Sequence, residues 1–481
     1  MNMSRIRADW LTHIPRELMA GAVATFALIP EVIAFSFVAG VDPAVGLFAS
    51  FVISIVIAFF GGRPAMISAA AGSVALVAAP LVHSHGLAYL LAAGVLAGLI
   101  QVLFGLLKLG VLMRFVSSSV RTGFVNALAI LIFAAQLPHL TSANPATWAM
   151  LALGLLIIYG LPRLTTAIPS PLVCIVVLTL VASWFGLSVK TVADLGLLPD
   201  SMPTFGWPGV PLTFDTLRLI ALPALAIAMV GLLESMMTAS VVDELTDTPS
   251  DKNRECSGLG VANIAASLFG GIAGCGMIGQ TVSNVRYGGR GRLSTLFAGV
   301  FLLVLMVLLK PWVSQVPVAA LGAIMVMVSA STFDWGSLRA VVRHPRLSSA
   351  VMLTTVAVTV ATDNLAAGVA VGVMLSGVFF TFKVARLMDV TAEDSPVLRT
   401  YRVRGQVFFA SADVFVDAFD TRDTEDRPVR IDVTQAHFWD VTAVGALDKV
   451  VQRLQKHGST VEVIGLNRAS EVLIDKLGSQ R

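Results

Sequence analysis

Charged residues are scarce along most of this chain. They make up 13% of its 481 residues, whereas hydrophobic residues make up 56%. Soluble domains carry about 25% charged residues, so this composition excludes an ordinary soluble protein. The charges are also uneven, because they are thin across residues 20–380 and dense from about Thr391 to the end. The sequence therefore predicts a long membrane-embedded part followed by a short soluble part.

Cysteine is rare too, and the formal net charge is only +3. Cys174, Cys256 and Cys275 lie far apart without ligand spacing, which argues against a disulfide framework and a metal site. A net charge this small gives no reason to expect nucleic acid as a partner. No nucleophile–base pair stands out, so we expect neither an enzyme nor a cofactor. The basic stretch Met1–Leu18 lacks a short apolar core with a cleavage site, so we expect it to be retained.

Apolar stretches fill most of the chain before the charged tail. A membrane-spanning helix needs about 20 mainly apolar residues, and charged or Gly/Pro-rich breaks divide the chain into fourteen such segments. We therefore expect an α-helical polytopic membrane protein surrounded by membrane lipid. The predicted segments are 18–38, 44–61, 66–82, 87–108, 120–138, 146–161, 166–186, 219–240, 257–272, 276–287, 293–311, 317–333, 347–361 and 365–383.

Lys and Arg are concentrated in the loops that follow even-numbered segments. Cytoplasmic loops carry an excess of these residues, so we expect both termini in the cytoplasm and the chain in a bacterial inner (cytoplasmic) membrane. The even-numbered loops contain Arg63, Lys108, Arg114, Arg121, Arg163, Lys252, Arg254, Arg286, Arg290, Arg292, Arg339, Arg343, Arg346, Lys383 and Arg386. The opposite loops contain only Lys190, Arg218 and Lys310.

Two segments, 66–82 and 276–287, are too short or too rich in glycine to span as ordinary helices. They are the third segments of the first and second sets of seven. Broken segments at matching places in two halves indicate inverted repeats with a binding site between them. We therefore expect the membrane part to consist of 7+7 inverted repeats.

The broken segments supply the candidate binding residues. Glycine lets the backbone run close to a ligand, and the N–H groups at the start of a half-helix attract an anion. Close helix packing is the alternative explanation for such small residues, but their matched positions favour a site. The candidates are Ser68, Ala71, Gly72 and Ser73 in the first half and Gly276, Met277, Ile278, Gly279 and Gln280 in the second.

Two acidic residues, Glu31 and Glu234, fall within predicted membrane segments. A carboxyl group in the hydrocarbon region is costly and usually marks an ion or proton pathway. Glu31 also follows Pro30, which interrupts the hydrogen bonding of a helix. We take both acids as candidate ion-coupling residues. The alternative is a protonated glutamate that hydrogen-bonds between helices for structure.

Six motifs spread along nearly the whole chain carry a family resemblance. They are Gly21–Glu31, Asp42–Ser50, Gly61–Pro64 leading to Ile67–Ser68, Gly123–Ala127, Gly231–Ser235 and Gly258–Ile264. Together they resemble the sulfate permease (SulP) family, which includes the prestin-type anion transporters of animals. The resemblance implies that segments 1–4 and 8–11 form a mobile core and the other segments a gate. It also implies an elevator motion of the core and a homodimer.

Two departures from the family pattern bear on coupling. Animal members carry an arginine at the start of the tenth segment, where this chain has Gln280. Sodium-coupled bicarbonate members carry threonine at the place of Ala71 and aspartate at the place of Glu234, while the threonine at Thr238 is retained. The resemblance thus implies Thr238 as a third ion-coupling candidate and a proton, rather than sodium, as the coupling ion. We predict proton-coupled symport of a small inorganic or organic anion, which is a dicarboxylate, sulfate or bicarbonate.

Beyond the last segment the pattern changes to short strands and amphipathic helices. Arg430–Thr434 and Val461–Gly465 are predicted as buried strands, and apolar residues between them recur at helical spacing after Asp440, a predicted N-cap. This βαβ unit resembles the STAS domain of bacterial anti-sigma-factor antagonists. We predict a transmembrane transport domain over residues 1–388 and a cytoplasmic α/β STAS domain over residues 389–481.

Two other functions stay open at this point. Nucleobase–proton symporters share the fold and also use acids on the first and eighth segments, so uptake of uracil would favour that function. The membrane part could instead anchor a STAS signalling module. If proteoliposomes transported none of several anions tested, this anchoring role would be favoured.

Overall fold

The structure, a computed structural model, describes residues 10, 13–111, 116–138, 144–164, 169–194, 204–343, 346–395, 397–420, 427–468 and 470–472. Of the loop residues used to predict the orientation, Arg114 lies outside the described residues. The chain divides into two compact units, Met1–Val373 and Met374–Arg481.

The first unit is mainly helical, because a helix satisfies the backbone hydrogen bonds of an apolar run internally. Its first half contains α1 Ile14–Ala39, α2 Pro43–Phe60, α3 Gly72–His85, α4 Leu87–Leu106, α5 Ser118–Ala134, α6 Pro145–Gly160 and α7 Ser170–Trp184. The second half contains α8 Phe214–Thr246, α9 Lys252–Leu268, α10 Ile278–Arg286, α11 Leu293–Val313, α12 Val318–Thr332, α13 Trp335–Arg343, α14 Arg346–Thr362 and α15 Leu365–Ala385, which crosses into the second unit. Each of the fourteen predicted segments overlaps a helix, and α13 is an additional short helix.

Seven of the described helices are long and apolar enough to cross a membrane. These are α1, α2, α4, α6 with its short continuation to Arg163, α8, α11 and α15. Helices α5, α7, α12 and α14 are apolar but shorter. The prediction of an α-helical polytopic fold is confirmed.

The membrane helices pack as two sets. In one set α4 lies along α9, and α11 contacts both α1 and α2. Gly98 and Gly260 permit the close contact of α4 with α9, because a Cβ on either would lie 2.6 Å or 2.5 Å from the carbonyl oxygen of the other. In the other set α5 packs on α14, and α12 packs on α5 and α6. This grouping is the core and gate arrangement that the family resemblance implies.

The two broken segments meet as a short antiparallel pair of strands. Strand β1 is Ser68–Ala69 and strand β2 is Cys275–Gly276, with Ser68 opposite Gly276 and Ala69 opposite Cys275. Backbone polar groups inside a membrane need partners within the protein. The strand pair provides these partners in the extended part of both segments, directly before α3 and α10 begin.

The second unit contains a four-stranded sheet. Its strands are β3 Asp389–Asp394, β4 Arg399–Val407, β5 Val429–Phe438 and β6 Val461–Ile464, and its helices are α16 Ala412–Asp417 and α17 Val441–Lys456. The order is β3-β4-β5-β6, in which β3 is antiparallel to β4 and the other neighbours are parallel. The side chain of Asp440 accepts a hydrogen bond from the amide of Ala443 at 2.8 Å, which confirms the predicted N-cap of α17.

Both predicted strands of this unit are present, but the predicted burial of the second was wrong. Strand β5 lies inside the sheet and buries Val429, Ile431 and Val433. Strand β6 lies at the edge of the described sheet, where its residues are half-buried or exposed. An edge strand has a neighbour on one side only, so its side chains are covered less completely.

Candidate functional site

The candidate site lies where the strand pair meets the starts of α3 and α10. Ser68 and Gly276 are opposite each other in the pair. Ala71 is the N-cap residue of α3, Met277 is the N-cap residue of α10, and Ile278 is the first residue of α10. The first N–H groups of a helix have no partner inside that helix. Two such helix starts therefore lie within three residues of one ladder, and the two predicted stretches are brought together.

Glu234 on α8 is the buried acid of this site, with 9% of its surface exposed. Its Oε2 accepts hydrogen bonds from the hydroxyl of Ser73 and, at 3.0 Å, from the thiol of Cys275. Ser73 is the second residue of α3, and Cys275 is the first residue of β2. Both halves of the chain thus supply a donor to one oxygen atom. No hydrogen bond from the described residues reaches the other oxygen, Oε1.

Glu31 lies on α1 directly after Pro30, and the helix continues through the proline. The carboxyl group of Glu31 forms a side-chain hydrogen bond with Gln280, the third residue of α10. Gln280 is buried, whereas Glu31 is half-buried. Within the described part of the chain, Glu31 and Glu234 share no hydrogen-bond partner, so the two acids belong to different parts of the site.

Two hydroxyl groups on α8 hold β2 in place. Thr238 Oγ1 donates to the carbonyl oxygens of Glu234 at 2.9 Å and Gly276 at 2.8 Å. Ser235 Oγ accepts a hydrogen bond from the amide of Gly276 at 2.9 Å. Helix α8 therefore satisfies both backbone polar groups of Gly276. For Thr238 these contacts describe a positioning role, and its role as an ion ligand stays a prediction.

The candidate glycines occupy different surroundings. A Cβ on Gly72 would lie 2.7 Å from Cε1 of Phe35, and a Cβ on Gly276 would lie 3.2 Å from Cε of Met66. Close packing explains glycine at the first position and restricts side chains at the second. A Cβ on Gly279 would meet no atom within 4 Å, and Gly279 is exposed. Open space therefore lies beside the first turn of α10.

A buried amide fixes the chain just before β2. Asn263 on α9 donates from Nδ2 to the carbonyl oxygen of Gly274 at 3.1 Å and accepts from the amide of Gly274 at Oδ1 at 2.8 Å. Its Nδ2 also donates to Oε1 of Gln101 on α4 at 2.8 Å. One side chain thus matches both backbone groups of a residue, as a neighbouring strand would do.

Sequence reasoning missed three residues of this site: Cys275, Ser235 and Asn263. Cys275 and Ser235 adjoin the predicted residues Gly276 and Glu234, so their positions gave a usable signal. Asn263 lies in one of the motifs that carry the family resemblance, but its distance along the chain from β2 gives no indication of a contact.

A cavity of about 500 Å³ adjoins α8, the helix that carries Glu234. Leu233 and Met237 line it, and they flank the turn of α8 that carries Glu234. Arg121 and Lys252 line it as well. Asp243 and Asp251 also line it, and Lys252 forms an ion pair with Asp243 at 2.8 Å. The cavity therefore extends from a mixed group of charged side chains to the turn of α8 that carries Glu234.

The polar groups of the site carry no full positive charge. Among the described residues, none of the hydrogen bonds or ion pairs at the strand pair involves Lys or Arg, and no cluster of His, Cys, Asp or Glu could hold a metal ion. An anion would therefore meet backbone amides, hydroxyl groups and the amide of Gln280. Helix N-termini can bind an anion in this way without a cationic side chain.

The model of the sulfate permease family matches residues 14–147 and 138–355. The chain belongs to the sulfate permease family. The STAS domain model matches residues 389–481. A member of this family is a membrane transporter and not an enzyme. The predicted recognition is confirmed.

Curated relatives agree with this assignment. A putative sulfate transporter of Bacillus subtilis, YbaR, is 51% identical over 99% of both chains. The bicarbonate transporter BicA of Synechocystis is 25% identical over 97% of this chain and 90% of that protein.

Solved structures show the same fold. The transmembrane domain of a cyanobacterial bicarbonate transporter, BicA, matches with a TM-score of 0.68 and 27% identity, covering 74% of this chain and 97% of that chain. Murine Slc26a9 in the inward-facing state matches with a TM-score of 0.84 and 17% identity, covering 97% of this chain and 88% of that chain. These matches confirm the predicted membrane fold with its additional small α/β domain.

Proposed function

We propose that this chain carries a small anion across the membrane together with protons, by an elevator motion of α1–α4 and α8–α11 against the other membrane helices. The candidate substrates are sulfate, bicarbonate and a dicarboxylate. One observation carries the proposal: two helix starts meet at one strand pair beside a buried carboxyl group, without a basic side chain. The names of the relatives, a putative sulfate transporter and a bicarbonate transporter, support an anion as substrate.

The site residues have separate roles in this proposal. The amides at the starts of α3 and α10 attract the anion, and the open space beside Gly279 receives it. Ser73 and Gln280 orient the two acids, Glu234 and Glu31. Ser68, Ala71 and Gly72 shape the first half of the site, and Gly276, Met277 and Ile278 shape the second.

A proton balances the charges of the loaded site. An anion next to an ionised, buried carboxylate is unfavourable, because like charges repel strongly where water is excluded. Protonation of Glu234 or Glu31 removes that repulsion, and the site offers Gln280 where a fixed cation would otherwise stand. A loaded core that carries both the anion and a proton can move across the membrane at lower electrostatic cost than one that carries the anion alone.

We further propose that the chain lies in a bacterial inner membrane as a homodimer, with both termini in the cytoplasm. The transport domain then comprises residues 1–388 and the STAS domain residues 389–481. The concentration of Lys and Arg in alternate loops supports this orientation. The cavity between Arg121, Lys252 and the Glu234 turn would then open toward the cytoplasm.

The test is a substrate panel in proteoliposomes under an imposed pH gradient. Radiolabelled sulfate, bicarbonate and a dicarboxylate are each supplied with an acidic exterior, with uracil as the comparison and protein-free vesicles as the blank. We expect uptake of at least one anion, its loss when a protonophore collapses the gradient, and no effect of a sodium gradient. Uptake of uracil alone would reject an anion as substrate. Anion uptake that does not depend on the pH gradient would reject proton coupling but would still support an anion as the substrate.

A further inference from the structure

Cys275 is a buried thiol at the centre of the site that the proposed function does not yet use. Its sulfur lies 3.0 Å from Oε2 of Glu234 and 3.7 Å from the hydroxyl of Ser73. Cys174 on α7 and Cys256 on α9 are also buried, but neither forms a hydrogen bond to an acidic side chain within the described residues. The position of Cys275 is therefore specific among buried thiols of this chain.

The geometry makes the two carboxyl oxygens of Glu234 unequal. Oε2 accepts from both Ser73 and Cys275, whereas Oε1 accepts from none of the described residues. A donor that bonds to a carboxylate stabilises its charged form relative to its protonated form. With Oε2 occupied by two donors, Oε1 is the oxygen that is able to receive a proton.

Other ionisable groups lie further from this carboxyl group. The elements packed against α8 include α3, α4, α9, α10 and β2. Of their polar side chains, Ser73 and Cys275 bond to Glu234. The others have different partners: Gln101 bonds to the backbone of α8, Asn263 to Gly274 and Gln280 to Glu31. The charged or ionisable residues toward the ends of these helices and of α8 are His83, His85, Tyr89, Asp215, Arg218, Asp243, Glu244, Lys252, Arg254, Glu255, Cys256 and Arg286. None of this second group is a hydrogen-bond partner of Glu234 in the described structure.

We propose that Cys275 is a positioning residue for proton coupling. Its thiol, together with the hydroxyl of Ser73, holds Oε2 of Glu234, directs proton binding to Oε1 and sets the pH range over which coupled uptake operates. This inference rests on the proposed proton-coupled function.

The experiment measures the pH at which uptake falls to half its maximum in proteoliposomes containing the full-length chain. Cys275→Ala removes one donor to the charged form, so Glu234 keeps its proton to higher pH and the midpoint rises by about 0.5 to 1 pH unit, as expected for a weak S–H donor. Cys275→Ser replaces the thiol with a stronger donor, so the midpoint does not rise and lies at or below the wild-type value. Cys174→Ala is the matched control and leaves the midpoint unchanged.

Ser73→Ala removes the other donor to Oε2 of Glu234, so the pH midpoint of uptake rises as it does in Cys275→Ala. This second variant tests the proposal even when Cys275→Ala does not fold. A merely structural thiol would lower the rate equally at every pH without moving the midpoint. Wild-type midpoints in both Cys275→Ala and Ser73→Ala would overturn the positioning role while leaving symport intact. A wild-type chain whose uptake does not depend on pH would instead reject the proposed function.

Discussion

The carboxyl group of Glu234 is bonded by donors from both halves of the chain, and glutamine can accept the same bonds. Glu234→Gln therefore keeps the contacts to Ser73 and Cys275 but cannot bind a proton. We expect uptake driven by a pH gradient to fall to the level of empty vesicles, while thermal stability in detergent stays within a few degrees of wild type.

The matched control for that variant is Glu244→Gln, which changes an exposed acid on the same helix. It should keep the wild-type rate. Undiminished gradient-driven flux in Glu234→Gln would show that the proton is carried elsewhere, and Glu31 would be the next candidate.

Gly279 separates a binding role from a packing role. Because a side chain there meets no atom within 4 Å, Gly279→Leu should fold normally and fill the open space beside α10. We expect anion affinity, measured by titration calorimetry, to fall at least about tenfold, which corresponds to about 1.4 kcal/mol.

Gly377→Leu on α15 is the control, because Gly377 is exposed and also has no neighbour within 4 Å. It adds the same bulk away from the site and should leave affinity unchanged. Equal affinities in the two variants would mean that the anion does not bind at the start of α10.

At the scale of the element, a side chain on α9 determines where β2 lies. Asn263→Ala leaves both backbone groups of Gly274 without their partner, and each unsatisfied buried group costs about 1–3 kcal/mol. We expect a lower thermal midpoint together with weaker anion binding, since β2 and the start of α10 are no longer held in register.

A second buried asparagine provides the comparison. Asn126 on α5 donates to Ser337 at 2.8 Å and accepts from the amide of Asp334 at 2.8 Å, in the gate set of helices. Asn126→Ala should lower the thermal midpoint similarly but leave affinity unchanged. Wild-type anion affinity in both Asn263→Ala and Asn126→Ala would contradict the proposed role of Asn263 in positioning β2 for anion binding.

The helices of the membrane unit could be predicted because long apolar runs and their breaks are local properties of the sequence. Helix α13 was missed, since its nine residues combine Trp335 and Leu338 with two arginines and resemble a loop in composition. The strand pair could be anticipated only as two broken segments. Two-residue strands are too short to show a periodicity, and no local sequence pattern predicts that Ser68 pairs with Gly276.

The candidate residues were found by chemistry that the sequence displays openly, namely acids and glycines in apolar surroundings. The contacts of these residues could not be predicted, because the hydrogen bonds from Ser73 and Cys275 to Glu234 depend on how α8 packs against both broken segments. A thiol in an apolar segment resembles an ordinary core residue until its neighbour is known.

For the whole molecule, the residues of the candidate site all precede the soluble tail. Removing the residues after Met388 should therefore leave a membrane unit that inserts and binds the anion within about twofold of the full-length affinity, a change of about 0.4 kcal/mol. Transport can slow when the STAS domain contributes to the dimer. Calorimetry and proteoliposome flux on the truncated chain check the two quantities separately.

Loss of binding in a truncated chain that elutes as a folded species would contradict this division of labour. The solved transmembrane domain of the cyanobacterial relative shows that such a unit can be studied alone in that protein.

The pairing of Ser68 with Gly276 also sets the earliest time at which the site can form during synthesis. The two residues are 276 − 68 = 208 positions apart, and ribosomes add about 5–20 residues per second, so β1 is made roughly 10–40 s before β2. During that interval β1 has no strand partner, and the first half of the chain cannot complete the site on its own. The binding site therefore cannot assemble before the second half of the membrane unit begins to insert, and substitutions that delay insertion of α8–α10 would act on a site whose first half is already in the bilayer.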